Sequence, residues 1–413
     1  MKGDFSRQTF RPARRYSAVL QQQGRVALDA DFNEHSEIEL HRLRTLARDV
    51  IGPCGGPKGA AGFKISLDRS GRQLLIGAGR YYVDGLLVEN EADCAFDRQP
   101  DLPSAGAALE QAVGTSARHL VYLDVWERII TALDDPDLLE PALGGADTSL
   151  RLKVVWQVRL APLKQARRLG CGAHPAIDRR ASLEVRTQPG GYSGLENRLY
   201  RIEIHSVDDA GGARLKWSRD NASLAMLVDR IGGNALKVAG GAADALARVR
   251  ASDCLELTDD AVELDGGIGQ LAQVATVEPT EGSITLAAAV AALGEDETGV
   301  DPSLHPKVRR WDAVTEMTPT GEAIDWVALE DGIEVRFGAG DLQPGDYWLF
   351  PARPSESGER AAGGVDWPHS QPQPARRVEH RCCPLAVVEL GPRPKDRRVV
   401  QDRRRFFAPL AGA

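Results

Sequence analysis

The side chains best suited to hold a metal occur in two short clusters, Cys171-Gly-Ala-His174 and His380-Arg-Cys-Cys383. Thiolate and imidazole are zinc ligands, so Cys171, His174, His380 and Cys383 are the candidates for such a site. Cys382 and Cys383 would point to opposite faces of a strand and could not both reach one ion. The reading adopted is therefore buried or incidental thiols, with no metal and no cofactor expected. Six cysteines scattered through 413 residues are not a disulfide framework. Asp29-Ala-Asp-Phe-Asn33-Glu34 opens like a calcium loop, but Glu34 stands where the tight turn needs glycine and Leu40 where a carboxylate should close the shell. Gly52-Pro-Cys-Gly-Gly-Pro57-Lys58-Gly59 imitates a phosphate loop, but Pro57 and Gly59 replace the required glycine and hydroxyl residue, so it reads as an ordinary loop. For hydrolysis, Asp124 and Glu127 fall on opposite strand faces, and Asp259-Asp260 sits in a turn. Gly191-Tyr-Ser193-Gly194 lacks the spacing of a nucleophile elbow. No catalytic residue is assigned.

The elements that would position these groups are mostly strands. Residues 1–30 read as an extended polar arm. Asp31 with Glu34 three residues later then suggests a capping box opening a helix. Leu40, Leu43, Leu46, Ala47 and Val50 share one face of that helix, and Gly52-Pro53 stops it. From Phe63 the period becomes two. Phe63–Leu67 with Leu74–Ile76 makes one hairpin, and Asp84-Gly85 turns a second. Val121, Leu123 and Val125 alternate with Tyr122, Asp124 and Trp126. In Arg151–Leu160 the residues Leu152, Val154, Trp156, Val158 and Leu160 line one side of a half-buried strand. Residues 161–190 look like a boundary. Tyr200, Ile202 and Ile204 then point inward from Arg198–His205, while Arg201, Glu203 and His205 share the face expected to be solvated. Short strands at 254–257, 271–274 and 283–286 suggest a small barrel or sandwich. The fold class expected is mainly β, as two or three antiparallel β domains of sandwich or small-barrel type with an extended N-terminal arm and one amphipathic helix. The division expected is 1–60, arm plus helix; 61–165, a β domain; 180–300, a second β domain with a barrel-like segment; and 301–413, a C-terminal β segment with a basic tail.

Charge is unevenly placed. The chain carries a net −8, yet residues 371–413 hold ten Lys/Arg against four acids. The first 25 residues hold six basic residues against Asp4 alone. Basic ends on an acidic body suit docking onto acidic neighbours, here through Arg7, Arg11, Arg14 and Arg15 and through Arg403, Arg404, Arg405, Phe406 and Phe407. An acidic whole without a binding motif argues against nucleic acid. No run of about eighteen apolar residues is present to insert in a membrane. The charged start, Met1-Lys-Gly-Asp-Phe-Ser-Arg, is not that of a secretory signal, so synthesis in the cytoplasm is expected, with any release occurring as part of a larger particle.

Several blocks together resemble a large bacterial family of undefined function: Lys2–Arg7, Gln23–Glu34 with Phe32 in place of a usual Trp, Gly79–Gly85, Tyr122–Glu127, Ala142–Thr148, Gly191–His205 and Lys216–Asn221. His305–Asp312, Gly345–Leu349, Val365–Pro368, His380 and Cys383–Ala386 continue the likeness. The resemblance implies a component encoded beside phage-tail-like contractile injection particles, near the baseplate, fibre or cap. The function expected is thus a non-enzymatic structural or adaptor subunit whose partners are other subunits of the particle, with homo-oligomers an option. The alternative, suggested by β architecture and seven tryptophans, is a carbohydrate-binding or carbohydrate-cleaving module, which would need aromatics exposed in a groove.

Overall fold

Three hydrophobic cores organise the chain, and each lies inside the sequence span of the one before it. In this computed structural model the residues described are 2–114, 117–164, 180–209, 211–240, 242–317, 326–338, 340–354, 364–368 and 371–408. The first core gathers Phe63, Ile76, Tyr81, Val88, Leu123, Trp156, Cys383 and Leu385. Its main sheet runs Arg151–Pro162, Arg118–Ile130, Arg381–Leu390, Arg397–Asp402, so the end of the chain returns to pair with an early strand. A second sheet of this unit places Cys54–Pro57 between Phe406–Phe407 and Gly79–Val83, followed by Leu86–Asn90. Residues 54–57, expected as loop, are therefore a strand.

The second unit is a sandwich. Ser182–Thr187 pairs with Ile333–Phe337, and Arg198–Val207 lies between Ala213–Ser218 and Tyr347–Arg353. Tyr200, Ile202, Ile204, Trp348 and Phe350 fill the space between its sheets. Within its span sits a closed six-stranded barrel, Ala225–Gly232, Ala235–Val238, Ser283–Leu286, Gln270–Glu278, Cys254–Thr258 and Lys307–Trp311 in spatial order. Closure leaves no free strand edge. The molecule is mainly β, as the alternating pattern requires.

Local rules are obeyed where no neighbour intervenes. Ile65 pairs with Ile76 in the first hairpin. Asp84 (φ 49°) and Gly85 (φ 83°) take the two left-handed positions that a two-residue hairpin turn demands. Gly85 is required a second time, because a Cβ there would stand 2.3 Å from the Arg44 carbonyl oxygen.

Two strands depart from expectation for one reason: both of their faces are covered. Trp156 and Val158 enter the first core, while Val155, on the other face, packs with Trp126 against Leu264 of the barrel unit. Gln157 is buried between them and donates to the Leu264 carbonyl at 2.9 Å. The half-buried strand is thus buried on both sides at its centre. In Arg198–His205 the face expected to be solvated is also covered, and Arg201, Glu203 and His205 are all buried.

The helix, Asp29–Ile51, begins two residues earlier than its expected cap. No capping box forms. Glu34 accepts the Thr9 hydroxyl at 2.5 Å, so the arm takes the carboxylate that would have closed the box, and Asp29 in the first turn accepts the Ser6 N–H at 2.9 Å. Gly52 does end it, at φ 87°.

Candidate functional site

The buried face of Arg198–Val207 meets a cluster of groups from four other segments. Lys216 Nζ lies 2.6 Å from Glu256 Oε1 and 3.1 Å from Glu203 Oε1. Lys2 reaches the same pair from the chain start, 3.2 Å from Glu203 and 3.9 Å from Glu256. Arg201 binds Glu203 at 2.6 Å, and the Trp311 indole N–H donates to Glu256 at 2.9 Å. Lys216 also stands over the Trp311 ring, 4.5 Å from its centre. The period-two geometry of the strand brings Arg201, Glu203 and His205 to this face, and the barrel strands carry Glu256 and Trp311 to meet them.

Electrostatics defines what this cluster can do. Burial alone would raise both carboxyls, but Lys216 and Lys2 outweigh it for Glu256, holding it at about 2. The same opposition, won by Lys2, Lys216 and Arg201, keeps Glu203 well below the carboxylate range. Burial, assisted by Lys216, lowers His205 to about 4 and leaves it neutral at pH 7. Acid–base catalysis by two carboxylates needs their proton affinities pushed apart, whereas here both are pushed down together. Chemically the arrangement is a clamp: it fastens the chain start to the seam between sandwich and barrel. Asn221 adds to it, its amide donating to the Gly3 carbonyl at 2.8 Å.

A second ionic cluster ties the barrel to the first unit. Arg128 reaches Asp260 at 2.5 Å, Glu263 at 2.8 Å and Asp134 at 3.3 Å. Lys307 lies 2.8 Å from Asp134, and His305 Nδ1 lies 2.7 Å from Asp260. Burial opposes ionisation of Asp134, yet Lys307 and Arg128 bring it to about 2.

The zinc candidates are placed as follows. Cys171 and His174 lie outside the described residues. His380 is at the surface, with Nδ1 3.1 Å from Asp124 and its ring 4.5 Å from that of Trp126. Cys383 points the other way, into the first core, with Sγ 4.0 Å from the Tyr81 hydroxyl. A hydrogen bond with Cys54, then burial, pushes its thiol far up. Cys382 is disulfide-bonded, which the cysteine spacing had not suggested.

The residues expected to dock partners divide sharply. Arg404 is nearly buried, donating to the Ala61 and Gly62 carbonyls at 3.1 and 2.9 Å. The Arg405 N–H donates to the Tyr81 hydroxyl at 2.8 Å. Phe407 packs on Tyr82, while Phe406 stays half exposed under the Arg404 guanidinium and the Arg403 side chain is exposed on Gln401. At the other end, Arg7 is part-buried on the strap formed by residues 2–10. Arg353 Nη2 donates to the Ser6 carbonyl there at 2.8 Å. Arg11, Arg14 and Arg15 are exposed.

Beyond them lies a surface that charge alone did not reveal. Arg44 and Arg48 turn the helix toward the body, binding Glu127 at 2.5 Å and Asp84 at 2.6 Å. Phe32, Leu43, Leu46 and Val50 therefore face solvent, beside Tyr16, Leu20, Val26 and Leu28 of the arm. Half of the exposed large apolar side chains among the described residues fall within residues 16–50, a concentration found nowhere else among them. Tryptophans offer no such platform. Trp126, Trp156, Trp217, Trp311, Trp348 and Trp367 are buried, and Trp326 is held between Arg186 and Arg336.

Sequence reasoning missed the ionic clamp. Its signal was present as mixed charges at alternate positions, Arg201-x-Glu203-x-His205, and as Glu256 set inside the apolar run Cys254–Leu257.

Compared with known proteins, the chain matches a family described only as of unknown function (DUF6519), over residues 1–187 and 184–382. No curated protein and no solved structure matches it.

Proposed function

This chain belongs to that family of unknown function, and on that premise we propose that it is a non-enzymatic structural or adaptor subunit of a multiprotein particle. The observation that carries the reading is the apolar and basic surface of residues 11–50. An extended arm with Leu20 and Val26 more than four-fifths exposed is costly in water unless a partner covers it. Arg11, Arg14 and Arg15 give the same surface a positive edge suited to an acidic neighbour. The setting, a phage-tail-like contractile injection particle, rests on the sequence blocks that resemble that family.

The test removes residues 11–28 and leaves the strap at 2–10 joined by a short flexible linker. The expected result is an unchanged melting temperature together with loss of copurification with particles from the producing cell. Incorporation equal to that of the full chain would overturn the reading.

A further inference from the structure

We infer that the first partner of this surface is a second copy of the same chain, paired antiparallel through the helix Asp29–Ile51. The inference rests on the docking reading and gives that surface a specific occupant. Exposed Glu39, Leu43, Leu46 and Val50 are separated by four, three and four residues, the spacing of a two-helix seam, and Phe32 extends the row one heptad toward the N-terminus. This row lies across the helix from Arg44 and Arg48, whose ion pairs fix the helix on the body and aim the seam at solvent.

Self-pairing is favoured by the charges flanking the seam. Seven residues apart on one flank are Arg42 and Asp49, both exposed. When two such helices run antiparallel with Leu43 facing Leu46 of the other copy, the two-fold axis makes Leu46 face Leu43 in turn. The same register sets Arg42 opposite Asp49 of the partner, and Asp49 opposite the partner's Arg42. Two ion pairs thus form from one surface, which is the self-complementarity an isologous interface requires. A parallel register would set Arg42 across from Ala47 of the second copy and form neither ion pair, so it is disfavoured. Glu39 lies opposite Val50 in the antiparallel register and interrupts the apolar row. The pairing is accordingly reversible.

Sedimentation of the full-length protein over a range of concentrations tests this. The expected result is a monomer–dimer equilibrium. L43D combined with L46D leaves only monomer, with an unchanged melting temperature because both sites are exposed. R42D or D49R alone weakens dimerisation about five- to tenfold, since two attractions become two repulsions. The doubly swapped R42D/D49R restores it to near the original strength. A wild-type protein that stays monomeric at its highest soluble concentration, or a double swap as weak as either single one, overturns the self-pairing. If that happens while L43D/L46D still strips the protein from particles, the docking surface stands and only its occupant is wrong.

Discussion

The two basic ends of this chain are alike in composition and opposite in use. At the C-terminus, arginines and phenylalanines close the first unit from within: Phe406–Phe407 forms a parallel edge on Cys54–Pro57, and Arg404 supplies donors to two carbonyls that strand pairing leaves open. At the N-terminus, residues 2–10 are spent on the clamp and strap, whereas residues 11–28 extend over the helix with their side chains outward. Local basic charge is thus no guide to which arginine is bonded within the chain and which is left exposed. What decides is whether unpaired carbonyls or carboxylates of the same chain lie within reach.

Breaking the two ends separately should separate stability from assembly. The largest effect is expected from deleting residues 403–413. The deletion removes the Arg403 N–H bond to Leu385, the Arg404 bonds to Ala61 and Gly62, the Arg405 bond to Tyr81, and the Phe407 edge. At about 1 kcal/mol for each bond lost, the deletion should cost about 4 kcal/mol or more, read as a lower denaturation midpoint in urea. Deletion of 11–28 should leave that midpoint unchanged, and an equal loss from both would erase the contrast.

Next in size is the clamp. Glu256→Ala leaves Lys216 and Lys2 short of a buried partner and exposes the Trp311 N–H to no acceptor, so about 3 kcal/mol of destabilisation is expected. Thermal unfolding of the variant checks this, and a melting temperature within error of the parent would show the cluster to be idle. Single arginines sharpen the comparison further. Arg404→Ala should lose about 2 kcal/mol and Arg14→Ala less than about 0.5, measured in the same titration.

The smallest effect is one of acidity. His205 is held neutral, its affinity lowered from 6.5 to about 4, so the unfolded chain binds that proton first and stability falls as pH drops from 6.5 toward 4. Glu256 and Asp134 are depressed to about 2. Their contribution is complete above the ordinary carboxylate range and is lost as pH falls from about 4.5 to 2. A His205→Gln variant should flatten the upper part of the stability–pH curve and leave the lower part in place. A curve unchanged between pH 6.5 and 4 would remove His205 from the account.

The amino-acid sequence by itself determined the mainly β class, the hairpins of the first unit and the inward face of strands such as Arg198–Val207, because alternation and a positive-φ turn such as Asp84-Gly85 act within a few residues. It also located the helix and its glycine stop. Only the tertiary structure decided the second face of each element. Arg201-x-Glu203-x-His205 reads as a wet face until Lys2 and Glu256 arrive from positions far along the chain, and Leu43 and Leu46 read as a core stripe until Arg44 and Arg48 find carboxylates on the body. A polar side chain can be buried when an opposite charge meets it and an apolar one left outside when its element is held by its other face; both outcomes depend on long-range partners that no local pattern encodes.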